Sequence, residues 1–207
     1  GLAVYAALEL SAALSGAALA PDAAPALAAI ALAISLLYLA GMYLNDAFDR
    51  RIDARERPER PIPAGRVTAA TVFTSGFAMM ATGLLVLGVT GLLPLSATGG
   101  ATAAAVPLLS GLALAAAIVT YDAYHKGNPF SPVVMGLSRA LVYVTSAVAF
   151  VAPTTGLVVA AAVLWSYLIG LTYDAKQESL DRIGSLWPLS FLAVPFLYAL
   201  PIAAASV

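Results

Sequence analysis

The sequence has 207 residues, of which 61% are hydrophobic and only 10% are charged, and its net charge is −1. Ordinary soluble domains carry about 25% charged residues, so the composition excludes an ordinary water-soluble fold. The absence of cysteine excludes disulfides and thiolate metal sites, and a single histidine excludes a His-rich zinc site. Any bound metal would therefore be a hard ion with oxygen ligands. The basic residues are confined to a few loops, and we expect no nucleic-acid partner.

Long intervals without a charged residue predict membrane-spanning helices, because about 20 apolar residues cross the hydrocarbon core. The intervals are 23–45, 67–121, 140–173 and 183–207, and two of them contain Gly- or Pro-rich breaks at 91–100 and 153–156. With the N-terminal stretch, the pattern predicts an all-α integral membrane protein of one domain over 1–207. Its seven helices are predicted at about 2–20, 24–46, 67–91, 101–124, 131–151, 156–176 and 185–207.

The charged residues identify one side of the membrane. The second, fourth and sixth predicted helices end on the same side, and nine of the ten basic residues follow them. Basic residues concentrate in cytoplasmic loops, so this side is expected to be cytoplasmic. Nine of the eleven acids follow the same three helices, although acids contribute little to topology. The acids therefore call for another explanation.

A first acid cluster lies where the second predicted helix leaves the apolar core. If the helix continues for two further turns, Asn45, Asp49 and Asp53 stack at i, i+4 and i+8 on one face. Like charges at this spacing repel one another unless a cation lies between them. The alternative is a solvated helix end whose acids are neutralised by three arginines, Arg50, Arg51 and Arg55.

A second cluster, Asp174, Glu178 and Asp181, repeats the i, i+4 spacing at the end of the sixth predicted helix. Carboxylate and amide oxygens suit Mg²⁺, which prefers to keep waters and to share its ligands with substrate phosphates. Two clusters on one side of the membrane therefore predict a Mg²⁺ site that holds a phosphate or diphosphate.

Basic residues near these acids could bind a diphosphate. Arg57 and Arg60 lie in a Pro-rich loop that we expect to be extended, with a turn at Gly65. Arginine offers forked donors that match phosphate oxygens. Lys126 adds a cation after the fourth predicted helix, and Tyr121 and Tyr124 of the same segment are expected to contact the diphosphate. The alternative for each basic residue is a topological anchor.

Three further residues are candidates for the site. Glu9 and Arg139 lie inside predicted helices, where charged residues commonly have a function. We prefer an ion pair between them; the alternative is that they bind the acceptor substrate, with Arg139 holding an anionic group. His125 is expected to be an interfacial residue beside Lys126, with a role as general base as the lesser alternative.

Four segments, 45–53, 57–65, 121–126 and 174–184, resemble the UbiA superfamily of intramembrane aromatic prenyltransferases, and locally they look most like its EboC subgroup. The resemblance implies about nine helices around a central cavity, with Asn45, Asp49 and Asp53 in a first Mg²⁺ site. Asp174, Glu178 and Asp181 would form the second, with Glu178 where aspartate is common. Because seven helices are predicted rather than nine, and the Arg-Pro segment usual before the first helix is missing, we expect the sequence to be truncated at both ends.

The function expected from these features is Mg²⁺-dependent transfer of an isoprenyl group from an isoprenyl diphosphate to an acceptor within the membrane. The acceptor would be aromatic or another small molecule of lipid metabolism, and membrane lipids would surround the protein. Asp49, Asp174 and Lys126 are the expected catalytic residues. The alternatives are a family member that binds isoprenoids or lipids without catalysis, and a cation-coupled transporter.

Overall fold

The computed structural model of the chain describes residues 24–92, 101–150, 153–178 and 186–205. All regular elements in these ranges are helices. The six helices are α1 (Ala24–Glu56), α2 (Ala69–Leu92), α3 (Ala101–Tyr124), α4 (Ser131–Val148), α5 (Thr155–Glu178) and α6 (Trp187–Ala205).

The all-α prediction is confirmed, and six of the seven predicted helices are found close to their predicted positions. The first predicted helix, with Glu9, lies outside the described residues. The largest difference is at α1, which ends at Glu56 instead of at about residue 46. The helix therefore continues past the apolar core for the two further turns that the stacking of Asn45, Asp49 and Asp53 requires.

Five helical stretches are long and apolar enough to cross a membrane: Ala24–Glu56, Ala69–Leu92, Ala105–Tyr124, Ser131–Val148 and Thr155–Gln177. The apolar stretch of α6, Trp187–Leu200, is shorter. Large apolar side chains such as Leu85 and Leu92 are exposed on the outside of the helices, where a lipid environment would solvate them. The chain is thus a multi-pass integral membrane protein.

Consecutive helices pack against each other along the chain, and α1 additionally contacts α3 and α4. The core between α1 and its neighbours contains Leu37, Leu44, Leu87 and Leu114, all almost fully buried. Small residues permit close packing of helices in a membrane. A Cβ atom at Gly83 would lie 3.0 Å from the backbone oxygen of Ala33 on α1. The position of α1 at the centre of the bundle gives its acid cluster access to two other helices.

The segment between α1 and α2 is a series of turns, and the prediction of an extended loop is wrong. The backbone N–H of Ala64 donates to the oxygen of Arg60 (2.9 Å), and that of Gly65 donates to Ile62 (3.0 Å). The fixed φ of proline suits turns as well as extended chain, so prolines alone do not decide between them. The predicted turn at Gly65 is confirmed by its φ of 71°. The turns place Arg60 beside the acids of α1.

Candidate active site

The ends of α1 and α3 meet at one level of the bundle. Asn45 Nδ2 donates a hydrogen bond to Asp122 Oδ1 (3.3 Å), and Lys126 Nζ lies 3.2 Å from Asp49 Oδ2. The end of α5 joins the same layer, because the Tyr173 hydroxyl donates to the backbone oxygen of Pro129 (2.7 Å). These contacts confirm that the three helices end on one side, as their parity predicted.

A cavity of about 490 Å³ lies between α1, α3, α4 and the turns after α1. On α1 it runs from Ile34 to Asp49, and the fifteen residue steps between them correspond to about 22 Å of helix. Its polar mouth consists of Asn45, Asp49, Arg57, Arg60, Tyr121, Asp122, His125 and Lys126. Its apolar floor consists of Ile34, Leu37, Leu114, Ile118 and Val142. One continuous cavity therefore offers a charged end and a hydrocarbon-like end.

Three acids of α1, Asp46, Asp49 and Asp53, lie on one helix face, and each has a cationic neighbour. Asp49 is buried, with Lys126 at 3.2 Å and His125 Nε2 at 3.7 Å from its Oδ2 atom. A single nitrogen of Arg60, Nη1, contacts both Asp46 Oδ1 (2.7 Å) and Asp53 Oδ2 (3.1 Å). Like charges on one helix face are thus neutralised by residues from two other segments.

The alternative interpretation, a solvated helix end, assigned the neutralisation of these acids to Arg50, Arg51 and Arg55, but these arginines do not pair with the acids in the described part of the chain. Arg50 Nη1 donates to the backbone oxygen of Ala47 (2.7 Å), and its guanidinium carbon lies 5.5 Å from the centre of the Phe73 ring. Arg51 and Arg55 are exposed. In the part of the chain that the structure describes, the acids pair with Arg60 and Lys126 instead. The first cluster is therefore part of a tertiary site, and it is not simply a solvated helix end.

The second acid cluster is described only in part. Asp174 is partly exposed on the last turns of α5, and it does not line the cavity; its helix neighbours Tyr173 and Lys176 contact the segment 128–131. The side chain of Glu178 and the whole of Asp181 lie outside the described residues. Their assignment to a second metal site stays a prediction.

The other predicted site residues divide into two groups. Arg57, Tyr121 and Arg139 line the cavity, whereas Tyr124 is 69% exposed and does not. Among the described residues, Arg139 has no hydrogen bond or ion pair, and its proposed partner Glu9 lies outside them. The predicted ion pair between these two residues therefore stays a prediction.

Two further residues of the mouth are Asp122 and His125. Asp122, which was not assigned to a site from the sequence, is only 6% exposed, and its buried Oδ2 atom has no hydrogen-bond partner within the described ranges. The signal for Asp122 was its place at the end of a helix that ends on the acid-rich side. His125 stacks on Tyr121, with ring centres 4.8 Å apart, and its partly buried side chain lies 3.7 Å from Asp49. Its expected interfacial position stays a prediction.

The oxygen donors of the mouth suit a Mg²⁺ ion whose remaining ligands are phosphate oxygens and waters. No three acidic or histidine side chains among the described residues form a metal cage by themselves. The mouth instead offers the amide of Asn45, the carboxylate of Asp49 and the unpartnered oxygen of Asp122. Mg²⁺ is usually held by one or two carboxylates together with waters and substrate phosphates, which this donor set allows.

Comparisons with known proteins agree with this architecture. The family model described as "UbiA prenyltransferase family" matches residues 10–206. The chain is 46% identical over 55 residues to digeranylgeranylglyceryl phosphate synthase of Methanosarcina mazei, which covers 27% of this chain and 19% of the relative. It is 35% identical over 133 residues to protoheme IX farnesyltransferase of Geobacter sulfurreducens, and this match covers 63% of this chain and 45% of the relative. The chain thus spans less than half the length of these relatives. No solved structure gives a significant match.

Proposed function

The chain belongs to the UbiA prenyltransferase family, and we propose that the protein transfers an isoprenyl group from an isoprenyl diphosphate to an acceptor within the membrane. The observation that supports this proposal best is the single cavity with a charged mouth and an apolar floor. An isoprenyl diphosphate has the same two parts, a charged head and a hydrocarbon tail. A transporter would be expected to place its acids near the bilayer midplane, whereas these acids lie at helix ends.

In this proposal the mouth provides most of the binding energy. The isoprenyl tail is already in a hydrocarbon environment when it dissolves in the membrane, so moving it onto the apolar floor gains little. The diphosphate, in contrast, gains charge-assisted hydrogen bonds from Arg57, Arg60 and Lys126. Tyr121 is the proposed hydroxyl donor to the same group, and the predicted contact of Tyr124, which lies outside the cavity, is expected to contribute little. The floor then selects among tails by length and shape.

We propose Mg²⁺ as the cofactor. Asn45, Asp49 and Asp53 would form the first group of ligands, and Asp174, Glu178 and Asp181 the second. When bound, Mg²⁺ would neutralise negative charge that develops on the leaving diphosphate. Lys126 and Arg60 add positive charge at the same place, since both line the mouth. Asp49 and Asp53 hold these two cations in position.

The apolar floor has a chemical role besides selection. As the bond between the tail and the diphosphate breaks, positive charge develops on the allylic carbon, and water would capture it. Ile118 lines the cavity one helical turn before Asp122, where the floor meets the mouth, and we propose that it keeps water from this carbon until the acceptor reacts. Arg139 lines the cavity, and we propose that it contacts the acceptor, as we also propose for Glu9.

The mouth is proposed to face the cytoplasm. Six arginines, Lys126 and Lys176 lie on this side, and basic residues concentrate in cytoplasmic loops. The diphosphate head and Mg²⁺ would then enter the mouth from the cytoplasmic side, while the tail of the same membrane-dissolved molecule reaches the floor from the bilayer, where membrane lipids surround the protein.

The test uses the full-length protein in its membrane with isoprenyl diphosphates of several chain lengths, with and without Mg²⁺. Binding and diphosphate release are measured for the unmodified protein and for Asp49→Ala and Asp174→Ala. We expect Mg²⁺-dependent release that both substitutions abolish, and no loss in the control Glu56→Ala, which removes an exposed carboxylate of α1 outside the cavity. Undiminished release from both Asp variants would contradict the proposal. Binding without release under any acceptor mixture would favour a non-catalytic isoprenoid-binding protein.

A further inference from the structure

Asp122 differs from the other buried acids of the mouth in its surroundings. Asp49 and Asp53 each lie within 3.2 Å of a cationic side chain, and Asp122 has no cationic side chain as a salt-bridge partner among the described residues. Its Oδ1 atom accepts a hydrogen bond from Asn45, which is neutral. Its Oδ2 atom is buried and has no hydrogen-bond partner in the same part of the chain. A buried carboxylate oxygen without a partner is strongly unfavourable.

Three residues of the mouth that lie near Asp122 contact other acids. His125 and Lys126, three and four residues further on, contact Asp49. Arg60 contacts Asp46 and Asp53. Arg57 and Arg139 also line the cavity, and neither forms a salt bridge with Asp122 in the described part of the chain. The mouth therefore has a buried carboxylate oxygen that no described cation contacts.

We propose that Asp122 is a further metal-binding carboxylate of the mouth, contributed by α3, which takes a divalent cation together with Asn45 and Asp49 of α1; this inference rests on the proposed function. The hydrogen bond from Asn45 Nδ2 fixes the orientation of that amide and leaves its Oδ1 atom available as a ligand. Two carboxylates and one amide oxygen leave room for phosphate oxygens and waters on the ion.

The variant Asp122→Asn separates metal binding from a structural role. Asparagine keeps an oxygen that can accept the hydrogen bond from Asn45, and it replaces the second, charged carboxylate oxygen with a neutral NH2 group that cannot bind a metal ion. The probe is Mn²⁺, titrated into the full-length protein in detergent with and without inorganic pyrophosphate, and bound ion is measured by electron paramagnetic resonance. We expect Asp122→Asn to weaken Mn²⁺ binding about 10- to 100-fold. The control Glu56→Gln should bind Mn²⁺ as the unmodified protein does.

Thermal unfolding provides a second measurement that needs no enzyme activity. Without divalent cations, Asp122→Asn should be at least as stable as the unmodified protein, because it removes an uncompensated buried charge. Added Mn²⁺ should raise the unfolding temperature of the unmodified protein and of Glu56→Gln, but much less that of Asp122→Asn. A variant that unfolds at lower temperature without the ion would contradict this part of the proposal.

Two outcomes would overturn the inference. Equal Mn²⁺ affinity of Asp122→Asn and the unmodified protein would show that Asp122 only orients Asn45, or that its carboxyl group carries a proton. Absence of Mn²⁺ binding by the unmodified protein would do the same. If Asp49→Ala abolishes diphosphate release while Asp122→Asn binds Mn²⁺ normally, the inference fails and the proposed function stands. If Asp122→Asn loses Mn²⁺ but the unmodified protein releases no diphosphate, the inference stands and the proposed function fails.

Discussion

The polar mouth and the apolar floor of the cavity are formed by the same helices but depend on different kinds of interaction. The floor is made of apolar side chains on helix faces, where another hydrophobic residue of similar size would serve nearly as well. The mouth depends on particular pairs between distant segments, such as Lys126 with Asp49 and Asn45 with Asp122. Substitutions in the mouth should therefore weaken diphosphate binding, and stability should fall most where two acids share one cation. Substitutions in the floor should change mainly which tail is accepted.

Among substitutions of the basic and apolar residues of the cavity, Arg60→Ala is expected to have the largest effect on stability. The substitution leaves the buried Asp53 and the half-exposed Asp46 without their shared cation. Because the Arg60 side chain is 32% exposed, we expect a loss of about 2 kcal/mol in unfolding free energy, below the full cost of breaking a buried pair. Diphosphate binding should also weaken. Unfolding in detergent and a binding titration measure the two effects. The control is Arg51→Ala, which removes an exposed arginine of α1 and should change neither the unfolding free energy nor diphosphate binding.

A smaller effect is expected for Lys126→Gln, which removes the cation nearest to Asp49. The variant should bind isoprenyl diphosphate about 10- to 100-fold more weakly, since charged hydrogen bonds contribute about 1.5–3 kcal/mol. It should fold normally, because nearly half of the Lys126 side chain is exposed. Equilibrium binding of a labelled isoprenyl diphosphate measures the loss. The control Arg55→Gln removes an exposed cation outside the cavity. An equal loss of diphosphate affinity in this control would show that Lys126 acts only through the net charge and not through direct contact.

In the floor, Ile34→Phe should change selectivity more than overall activity. Ile34 is partly buried at the end of the cavity furthest from Asp49, and a larger ring there shortens the space for the tail. We expect kcat/KM for the longest accepted isoprenyl diphosphate to fall about 10-fold relative to a short one, which is typical of small changes in apolar pockets. Leu32→Phe enlarges a residue of the same helix that is exposed on the outside. Its preference for tail length should remain unchanged.

The smallest effect should separate the two tyrosines of the mouth segment. Tyr124 is exposed and lies outside the cavity, so Tyr124→Phe should change diphosphate affinity by less than about 2-fold. Tyr121 lines the cavity and stacks on His125, so Tyr121→Phe should weaken binding by the value of one hydrogen bond, about 5-fold. The same binding titration measures both variants. A larger loss for Tyr124→Phe would restore its predicted contact with the diphosphate.

Much of the fold was readable from the sequence, for a physical reason. Charge-free intervals must span the membrane as helices, because unpaired backbone groups are not tolerated in lipid. This rule predicted α2 and α6 to within a few residues. It placed the end of α1 too early, since a rule based on apolar residues cannot predict helical turns made of charged residues beyond the apolar segment. The regular i, i+4 spacing of Asn45, Asp49 and Asp53 was the better guide to that end.

Local spacing and helix parity along the sequence suffice to establish a helical membrane protein whose acids gather on one side. Which groups meet depends on the packing. The turns after α1 are fixed by backbone hydrogen bonds and bring Arg60 to Asp46 and Asp53. Arg50 is nearer to both acids along the sequence, but it does not pair with them in the described structure. The packing of α3 against α1 buries Asp122 beside Asn45 with one oxygen unpartnered in the described chain. Such contacts depend on the approach of distant segments, which no spacing along the chain encodes.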